Sequence, residues 1–256
     1  RTGLMKRYYA YPNAWLVCSA QKLGVFGLSW PAAGFLNVLQ HPETGGFLTA
    51  GPGASLADEQ DLLSTAMGGM AALHMGDFEV ANKAGDFILR LVEIQPKPNA
   101  LYMVVRDREK LVEKVEDESQ EFHYVFHVGR QGQFCAAPAI AALFLTKLHE
   151  ATHREGCLTR AQWLADLPDT DAADKYTSIY SGFWGWAAAE LFAATGNQNY
   201  LRTATEVGNA ILEQQLENGS WLQASMSVNQ ESDVVDGTAE LIIVLRGITK
   251  ALALGI

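Results

Sequence analysis

The sequence predicts a mainly α-helical protein of repeated antiparallel helix hairpins, forming one domain over residues 1–256. Three observations support this: apolar side chains recur at helical spacing, short segments repeat at about 40 residues, and glycines follow the apolar helices. Hydrophobic residues make up 48% of the chain and charged residues 19%, which is typical of a globular protein rather than a disordered one. A chain of 256 residues can bury a sizeable core.

The first repeated feature is a turn between two helices. Aligned at a constant offset, Gly76 falls on Gly196, and in a third copy His153 takes the same position. The matching segments are 73–89, 193–212 and 148–167. A glycine directly after an apolar helix favours a left-handed residue that ends the helix and turns the chain into an antiparallel partner.

The second repeated feature closes the other end of the hairpin. HPETGGFL (41–48) and LENGSWLQ (216–223) each place an acid, a polar residue, a glycine and an aromatic residue after a helix. Such segments stop a helix and anchor an aromatic ring in the core. Repeats of this length predict stacked helix pairs, since one pair cannot bury its apolar face alone.

Nine helices are expected, with one interruption of the helical rhythm. The predicted helices are 13–26, 31–40, 58–75, 77–94, 131–152, 158–166, 178–195, 198–216 and 234–253. The interruption at 101–128 contains LYMVVRD and EFHYVFHV, whose branched and aromatic residues favour strands. We therefore predict a β-hairpin-like excursion there, and no linker long enough to separate two domains.

Helix pairs with GGF and NGSW turns resemble the α/α-toroid superfamily. That group includes squalene-hopene-type terpenoid cyclases, protein prenyltransferase β-subunits, sugar epimerases and unsaturated-glycoside hydrolases. The resemblance covers nearly the whole chain and implies one central pocket surrounded by the amino-terminal ends of alternate helices. The acid motif DxDD of class II terpene cyclases is missing, because DTDAAD (169–174) has no third adjacent acid. With about nine helices, this toroid would be smaller than a complete six-pair barrel.

Charge and cysteine content restrict the partners. The formal net charge of -10 argues against nucleic acid and anionic membranes, and a small-molecule substrate is the expected partner. Three widely spaced cysteines form no CxxC pair, so a reducing, cytoplasmic compartment is expected. The sequence shows no apolar signal region and no span of about 18 apolar residues. It also lacks a GxGxxG motif after a strand and a P-loop, which predicts no nucleotide cofactor. The oligomeric state is left open.

One motif has metal-ligand spacing. His149, Glu150 and His153 form an HExxH, which on a continuous helix would hold zinc with Glu150 as general base. The same segment is also a copy of the repeat, and this interpretation places His153 in a turn. We favour the turn, assign no metal ligand, and keep a zinc metallohydrolase as an alternative.

Candidate polar groups cluster in EFHYVFHVGRQGQF (121–134). His123 and His127 are the proposed proton-transfer groups, because the pKa of histidine lies near neutrality. In a strand they would share one face. Tyr124, Gln131 and Gln133 are predicted substrate contacts. The alternative is a solvated hairpin whose polar groups cap the next helix.

Aromatic residues at helical spacing are the predicted pocket lining. Tyr176, Tyr180 and Trp184 recur at every fourth position, and Tyr11 and Trp15 lie at the start of the first helix. Such a lining can hold an apolar chain or stack on a sugar ring. Core packing between helices is the alternative for the same spacing.

Two groups of acids begin helices. Asp236 and Glu240 share one face of the last helix, and both are candidate catalytic acids because a helix N-terminus explains Glu240 poorly. Near the start of the helix expected at 58–75, Asp58, Glu59 and Asp61 are explained by the helix dipole without any function.

The favoured hypothesis is a cofactor-independent cyclase or isomerase, including pericyclase or lyase chemistry, that acts on a mostly apolar biosynthetic intermediate in an aromatic-lined pocket. The alternative is a carbohydrate-active enzyme, a sugar epimerase or a glycoside-cleaving protein. It needs His123 or His127 opposite Glu240 or Asp236. A non-catalytic binding protein is a further alternative.

Overall fold

The computed structural model describes residues 7–51, 53, 58–107, 110–115, 117–130, 133, 136–167, 181–221 and 231–255. The helices are α1 (Ala10–Lys22), α2 (Phe26–Leu39), α3 (Leu62–Met75), α4 (Phe78–Glu93), α5 (Ala136–Thr152), α6 (Cys157–Asp166), α7 (Ser181–Thr195), α8 (Gln198–Glu213) and α9 (Glu231–Leu254). Each predicted helix is present, which confirms the mainly helical class. Within the described residues, no helix is long and apolar enough to cross a bilayer.

The chain divides into two compact units. The first unit contains 1–128 and 147–160, and the second contains 129–146 and 161–256. In the first unit, α1 packs against α2 and α3, and α3 packs against α4. In the second unit, α7 packs against α8 and α9. Both units therefore consist of antiparallel helix pairs, and the prediction of a single domain stays a prediction.

Both units contain helices of two kinds. From Ser181 to Phe192, every residue of α7 is buried, and nearly all of α3 is buried too, because both helices are apolar on all sides. In contrast, α4 and α8 bury one stripe only. Ala84 and Ala204, aligned in the sequence, are fully buried in these two stripes. Helices with one apolar face lie on the outside of a packed layer.

The predicted turn positions are equivalent in the structure. Gly76, Gly196 and His153 all adopt positive φ, at 74°, 70° and 52°. In two of them the bonding is the same: the N–H of Gly196 donates to the carbonyl of Phe192, and that of His153 to the carbonyl of His149. Left-handed residues end helices in this way. His153 therefore lies beyond the end of α5, as the repeat predicts.

The turns at the opposite end are also equivalent. Gly45 and Gly219 have φ of 80° and 83°, and the aromatic side chains that follow, Phe47 and Trp221, are buried. The backbone N–H of each aromatic residue donates to a threonine hydroxyl of the next helix, at 2.9 Å in the first unit and 3.2 Å in the second. The predicted anchoring of an aromatic ring in the core is confirmed.

The excursion near 101–128 contains short strands. After β1 (Gln60–Asp61), which lies earlier in the chain, these are β2 (Ala100–Tyr102), β3 (Val104–Arg106), β4 (Lys110–Leu111) and β5 (Val125–His127). β2 pairs antiparallel with β5, as the predicted hairpin requires, while β3 lies between β1 and β4. Tyr102 and Val125 belong to a small buried apolar cluster, most of whose members are residues of these strands.

Local structure differs from the prediction at two places that bear on the candidate site. α3 begins at Leu62 rather than near 58, because Gln60 and Asp61 pair with β3 before the helix starts. His123 does not share a strand with His127. It is the last residue of a 3₁₀ helix, Glu118–His123, whose first turn is capped by the Asp117 carboxylate. This local cap competes with strand extension.

Candidate functional site

A buried polar cluster lies at the amino-terminal ends of α1 and α3, in the first unit. The N–H of Thr49 donates to the carbonyl of Glu59, and β1 pairs with β3, which brings Arg106 to the same place. The N–H of Met103 donates to the carbonyl of Tyr124. Backbone bonds from four separate segments therefore fix the side chains of the cluster.

Glu59 is the centre of the cluster. Its side chain is 0% exposed, and its Oε1 accepts from Arg106 Nε at 3.0 Å and from the Tyr124 hydroxyl at 3.1 Å. Its Oε2 lies 3.4 Å from a guanidinium nitrogen of Arg7. A buried carboxylate requires such charged and hydrogen-bonded partners, because burial alone disfavours its ionised form.

Arg7 links the two halves of the cluster. Its guanidinium donates to the hydroxyl of Tyr124 and lies over the same ring, 4.5 Å from the centroid. The Arg7 side chain is largely buried, whereas that of Arg106 is 45% exposed. The Arg7 contact is therefore the better shielded of the two ion pairs.

Tyr8 and His123 form the second half. The Tyr8 hydroxyl lies 2.9 Å from His123 Nδ1, although 115 positions separate the two residues in sequence. Burial, and next the charge of Arg7, lowers the pKa of His123 to about 4, so the imidazole is neutral near pH 7. Burial, and next the charge of Asp61, raises the pKa of Tyr8 well above its usual value, which keeps the phenol protonated.

The backbone of Tyr8 is strained. Its φ of 60° lies in the left-handed region, which is unusual for an aromatic residue and costs about 1–2 kcal/mol. The N–H of Tyr11 donates to the carbonyl of Tyr8 and thereby fixes the entry into α1. Strained residues of this kind concentrate at functional sites.

Asp61 borders the cluster and has a structural task. It caps α3 by accepting from the N–H of Ser64 at 2.7 Å, and it accepts from the Thr49 hydroxyl at 2.8 Å. Burial raises its pKa. Of the three acids assigned to the helix dipole, Asp61 behaves as expected and Glu59 does not, because Glu59 precedes β1 and binds two guanidinium groups.

The structure places other predicted residues outside this cluster. His127 Nε2 lies 3.3 Å from Glu121 Oε1 in a half-exposed pair, and Gln133 donates to the carbonyl of Arg130. Gln131 falls outside the described residues. The structure thus brings His123 and Tyr124 together with Glu59, while His127 has its own acidic neighbour.

The predicted aromatic lining divides among several places. Tyr11 and Trp15 are half-buried on α1, with ring centroids 6.2 Å apart in an edge-to-face arrangement. Trp184 is buried in the second unit, where its indole N–H donates to the Ala165 carbonyl at 2.8 Å. Tyr176 and Tyr180 lie outside the described residues.

Asp236 and Glu240 lie on α9 in the second unit. Asp236 is exposed and Glu240 is half-buried. The predicted opposition of these acids to His123 or His127 therefore stays a prediction.

The HExxH segment does not have zincin geometry. His149 is on α5, but His153 follows the helix end, and Glu150 pairs with Lys147 at 2.9 Å. The His149 ring contacts the carbonyl of Arg154. Within the described residues, no group of three or more His, Cys, Asp and Glu side chains could hold a metal ion.

Sequence reasoning missed Arg7, Tyr8 and Arg106. Only Arg106 gave a signal, as a charged residue directly after the apolar run LYMVV. A cleft of about 430 Å³ also lies in the first unit, beside the carboxyl end of α4, and none of the predicted site residues line it.

Comparison with known proteins identifies structural neighbours. No protein-family profile matches the sequence, and no curated protein matches it either. A D-mannose isomerase structure is similar over 95% of this chain and 72% of its own length, at 12% identity and a TM-score of 0.70. A family 76 α-mannanase from Bacteroides thetaiotaomicron is similar over 98% and 71%, at 13% identity and a TM-score of 0.66.

A third neighbour is an unsaturated glucuronyl hydrolase specific for heparin. It is similar over 96% of this chain and 75% of its own length, at 10% identity and a TM-score of 0.61. These solved structures are α/α-toroid enzymes that act on carbohydrates. At such identities the likeness shows the fold alone. The chain has the α/α-toroid fold, as the resemblance of its helix pairs and turns implied.

Proposed function

We propose that this chain is a carbohydrate-active enzyme that moves a proton on a sugar, an isomerase or epimerase, with His123 as the proton carrier. The observation that carries the proposal is the neutral His123 imidazole held by Tyr8 beside the Glu59 ion-pair cluster. The solved neighbours support the carbohydrate alternative better than a cyclase of an apolar intermediate.

Each group has a distinct role in this proposal. Tyr8 orients the imidazole through Nδ1: in the tautomer whose Nδ1–H donates to the Tyr8 oxygen, Nε2 is unprotonated and is the nitrogen assigned to the substrate. A neutral imidazole accepts a proton from a carbon acid and returns it to a neighbouring position. Positive charge on Arg7 and Arg106 stabilises the negative charge that develops on the substrate oxygen as the proton leaves.

Proton transfer fits the carboxylates of this cluster better than glycoside hydrolysis does. Hydrolysis requires two carboxyl groups about 5–5.5 Å or about 6.5–9.5 Å apart, one of them ready to donate a proton. Glu59 is held between two guanidinium groups, and Asp61 is used as a helix cap. Both carboxylates therefore have structural partners, and the imidazole is the group suited to carry a proton.

The experiment incubates the protein with D-mannose in deuterated water and follows by NMR the formation of the ketose and the deuterium that the ketose carries at C1. We expect the wild-type protein to catalyse both. We expect His123→Gln to reduce the rate roughly 100-fold or more, because the proton carrier is removed. Tyr8→Phe should lower kcat with little change in KM, since it alters the orientation of the ring rather than sugar binding.

Two comparisons sharpen the result. His149→Gln is the matched control, a histidine outside the cluster whose loss should leave the exchange unchanged. An equal loss of the exchange in that variant would contradict the specific role assigned to His123. Release of sugar from α-mannan without deuterium exchange would support a glycosidase and contradict the assigned role of His123.

A further inference from the structure

The outward side of α2 differs from that of the other outer helices. From Phe26 to Leu39 the helix contains no charged residue. The exposed sides of α4 and α8, in contrast, carry charged residues such as Lys83 and Arg202. An outer helix of a monomeric protein normally presents a charged or polar side to water.

An uncharged surface follows from this composition, and we call it the α2 apolar face. Its members are exposed large apolar residues on α2 and directly before it: Leu23, Val25, Phe26, Leu28, Trp30, Phe35 and Val38. Trp30 is 67% exposed and Val38 60%. The buried side of the same helix, with Ser29, Ala32, Leu36 and Leu39, faces its own unit.

The size of the face argues for a partner. The exposed fractions correspond to on the order of 700 Å² of apolar surface, close to the ~800 Å² that each partner contributes to a standard interface. The largest apolar patch of an ordinary monomer is about 300–600 Å². Exposure of this extent is costly in water, and one side of a specific interface explains it.

The charge of the chain limits the partner. A formal net charge of -10 repels an anionic lipid surface, and helices that bind such surfaces carry a basic polar side, which α2 lacks. The same net charge would also keep two copies apart, except where they meet through an uncharged surface. The α2 apolar face is such a surface, so a second copy can approach here without bringing charges of the same sign together.

Small residues allow close approach of two helices. Gly27 and Gly34 lie on the exposed side of α2, and a Cβ atom built at either position meets nothing within 4 Å. Aromatic residues flank them, which matches the composition of buried interface centres. A two-fold pairing would place the same face of each copy in contact.

We infer that the α2 apolar face is the contact surface of a homodimer, in which α2 packs against α2 of a second copy. This dimer is independent of the proposed sugar chemistry, because the face contains no residue of the Glu59 or His123 cluster.

The test measures the mass of the full chain in solution by sedimentation velocity and light scattering at micromolar concentrations. We expect a species of twice the 27.9 kDa chain mass. Trp30→Glu should raise the dimer dissociation constant at least about 30-fold, because it places a charge where an aromatic anchor is buried. Gly34→Leu should weaken the dimer as well, although the added side chain has room in the single chain.

The matched control is Leu212→Glu on α8, which makes the same charge change at a similarly exposed position. It should leave the dimer intact, and circular dichroism with thermal melting should show that all variants are folded. A wild-type protein that stays monomeric up to about 100 µM would overturn the inference. So would a dimer that survives Trp30→Glu, or binding of a monomer to phosphatidylserine vesicles that Trp30→Glu abolishes.

Discussion

The turn from α2 to α3 and the turn from α8 to α9 have the same construction but different surroundings. Both contain a left-handed glycine, Gly45 or Gly219, and both bury the aromatic residue two positions later. Of the eleven buried polar or charged side chains among the described residues, however, eight lie in the first unit. The repeated turn therefore supports the helix pairs of both units, whereas the ionisable cluster belongs to one.

The buried glutamates of the two units differ in their partners. In the first unit, Glu59 is buried between two guanidinium groups, while in the second the buried Glu190 accepts a hydrogen bond from the Trp186 indole. A buried ion-pair cluster is an expensive way to stabilise a protein, because desolvation offsets much of the attraction. Among the described residues, such a cluster lies in the first unit, which indicates a purpose beyond packing there.

The largest expected effect separates the two buried glutamates. Glu59→Gln should lower the free energy of unfolding by about 3 kcal/mol, because it leaves the largely buried Arg7 without its carboxylate. Glu190→Gln should cost less, because its amide oxygen still accepts from the Trp186 indole. Urea unfolding measures both values. Equal losses would mean that the Glu59 cluster is no more than ordinary packing.

A smaller effect distinguishes the two equivalent turns. At Gly45, an added Cβ would overlap the backbone carbonyl of Lys83, in addition to the strain of positive φ. At Gly219, only the strain applies. We expect Gly45→Ala to cost about 2–3 kcal/mol and Gly219→Ala about 1 kcal/mol. The melting temperatures of the two variants give the comparison, and the reverse order would contradict the described packing of the first turn.

The smallest effect is the pH dependence that His123 adds. Its pKa is about 4 in the folded chain and about 6.5 when unfolded, so the unfolded state binds more protons between these values. Stability is therefore full above about pH 6.5 and falls as the pH is lowered towards 4. Discounted for partial exposure, the loss between about pH 7 and about pH 5 is about 1 kcal/mol. His123→Gln should lose this slope in urea titrations, and an unchanged slope would refute the buried neutral imidazole.

Local patterns were enough to predict the helices. Apolar spacing, capping residues and the repeated glycines placed nine helices within a few residues of their observed bounds, and His153 was correctly aligned with a turn glycine. α2 was predicted to begin at Pro31, the usual first position for proline, but Pro31 lies inside the helix. It is exposed there, so water can replace the lost hydrogen bond of the backbone.

The candidate site was predicted only in part, because its contacts join residues that are distant in sequence. His123 and Tyr124 were named from residue type and alternation. Tyr8 lies 115 positions from His123, and Arg7 lies 52 positions from Glu59. No local pattern encodes such pairings. In the sequence, Glu59 resembles an ordinary acid in the first turn of a helix. Only the pairing of β1 with β3 shows that it precedes a strand and lies at the centre of the cluster.

The most direct test of the account is the titration of His123 itself. NMR of the protein with labelled histidine, assigned by comparison with His123→Gln, measures the pKa and the hydrogen-bonded nitrogen. We predict a ring that is neutral at pH 7, with a pKa of about 4. In Tyr8→Phe we expect this pKa to rise, or the tautomer balance of the ring to change. A pKa near the ordinary value of about 6.5, unaffected by Tyr8→Phe, would contradict the buried proton-transfer site.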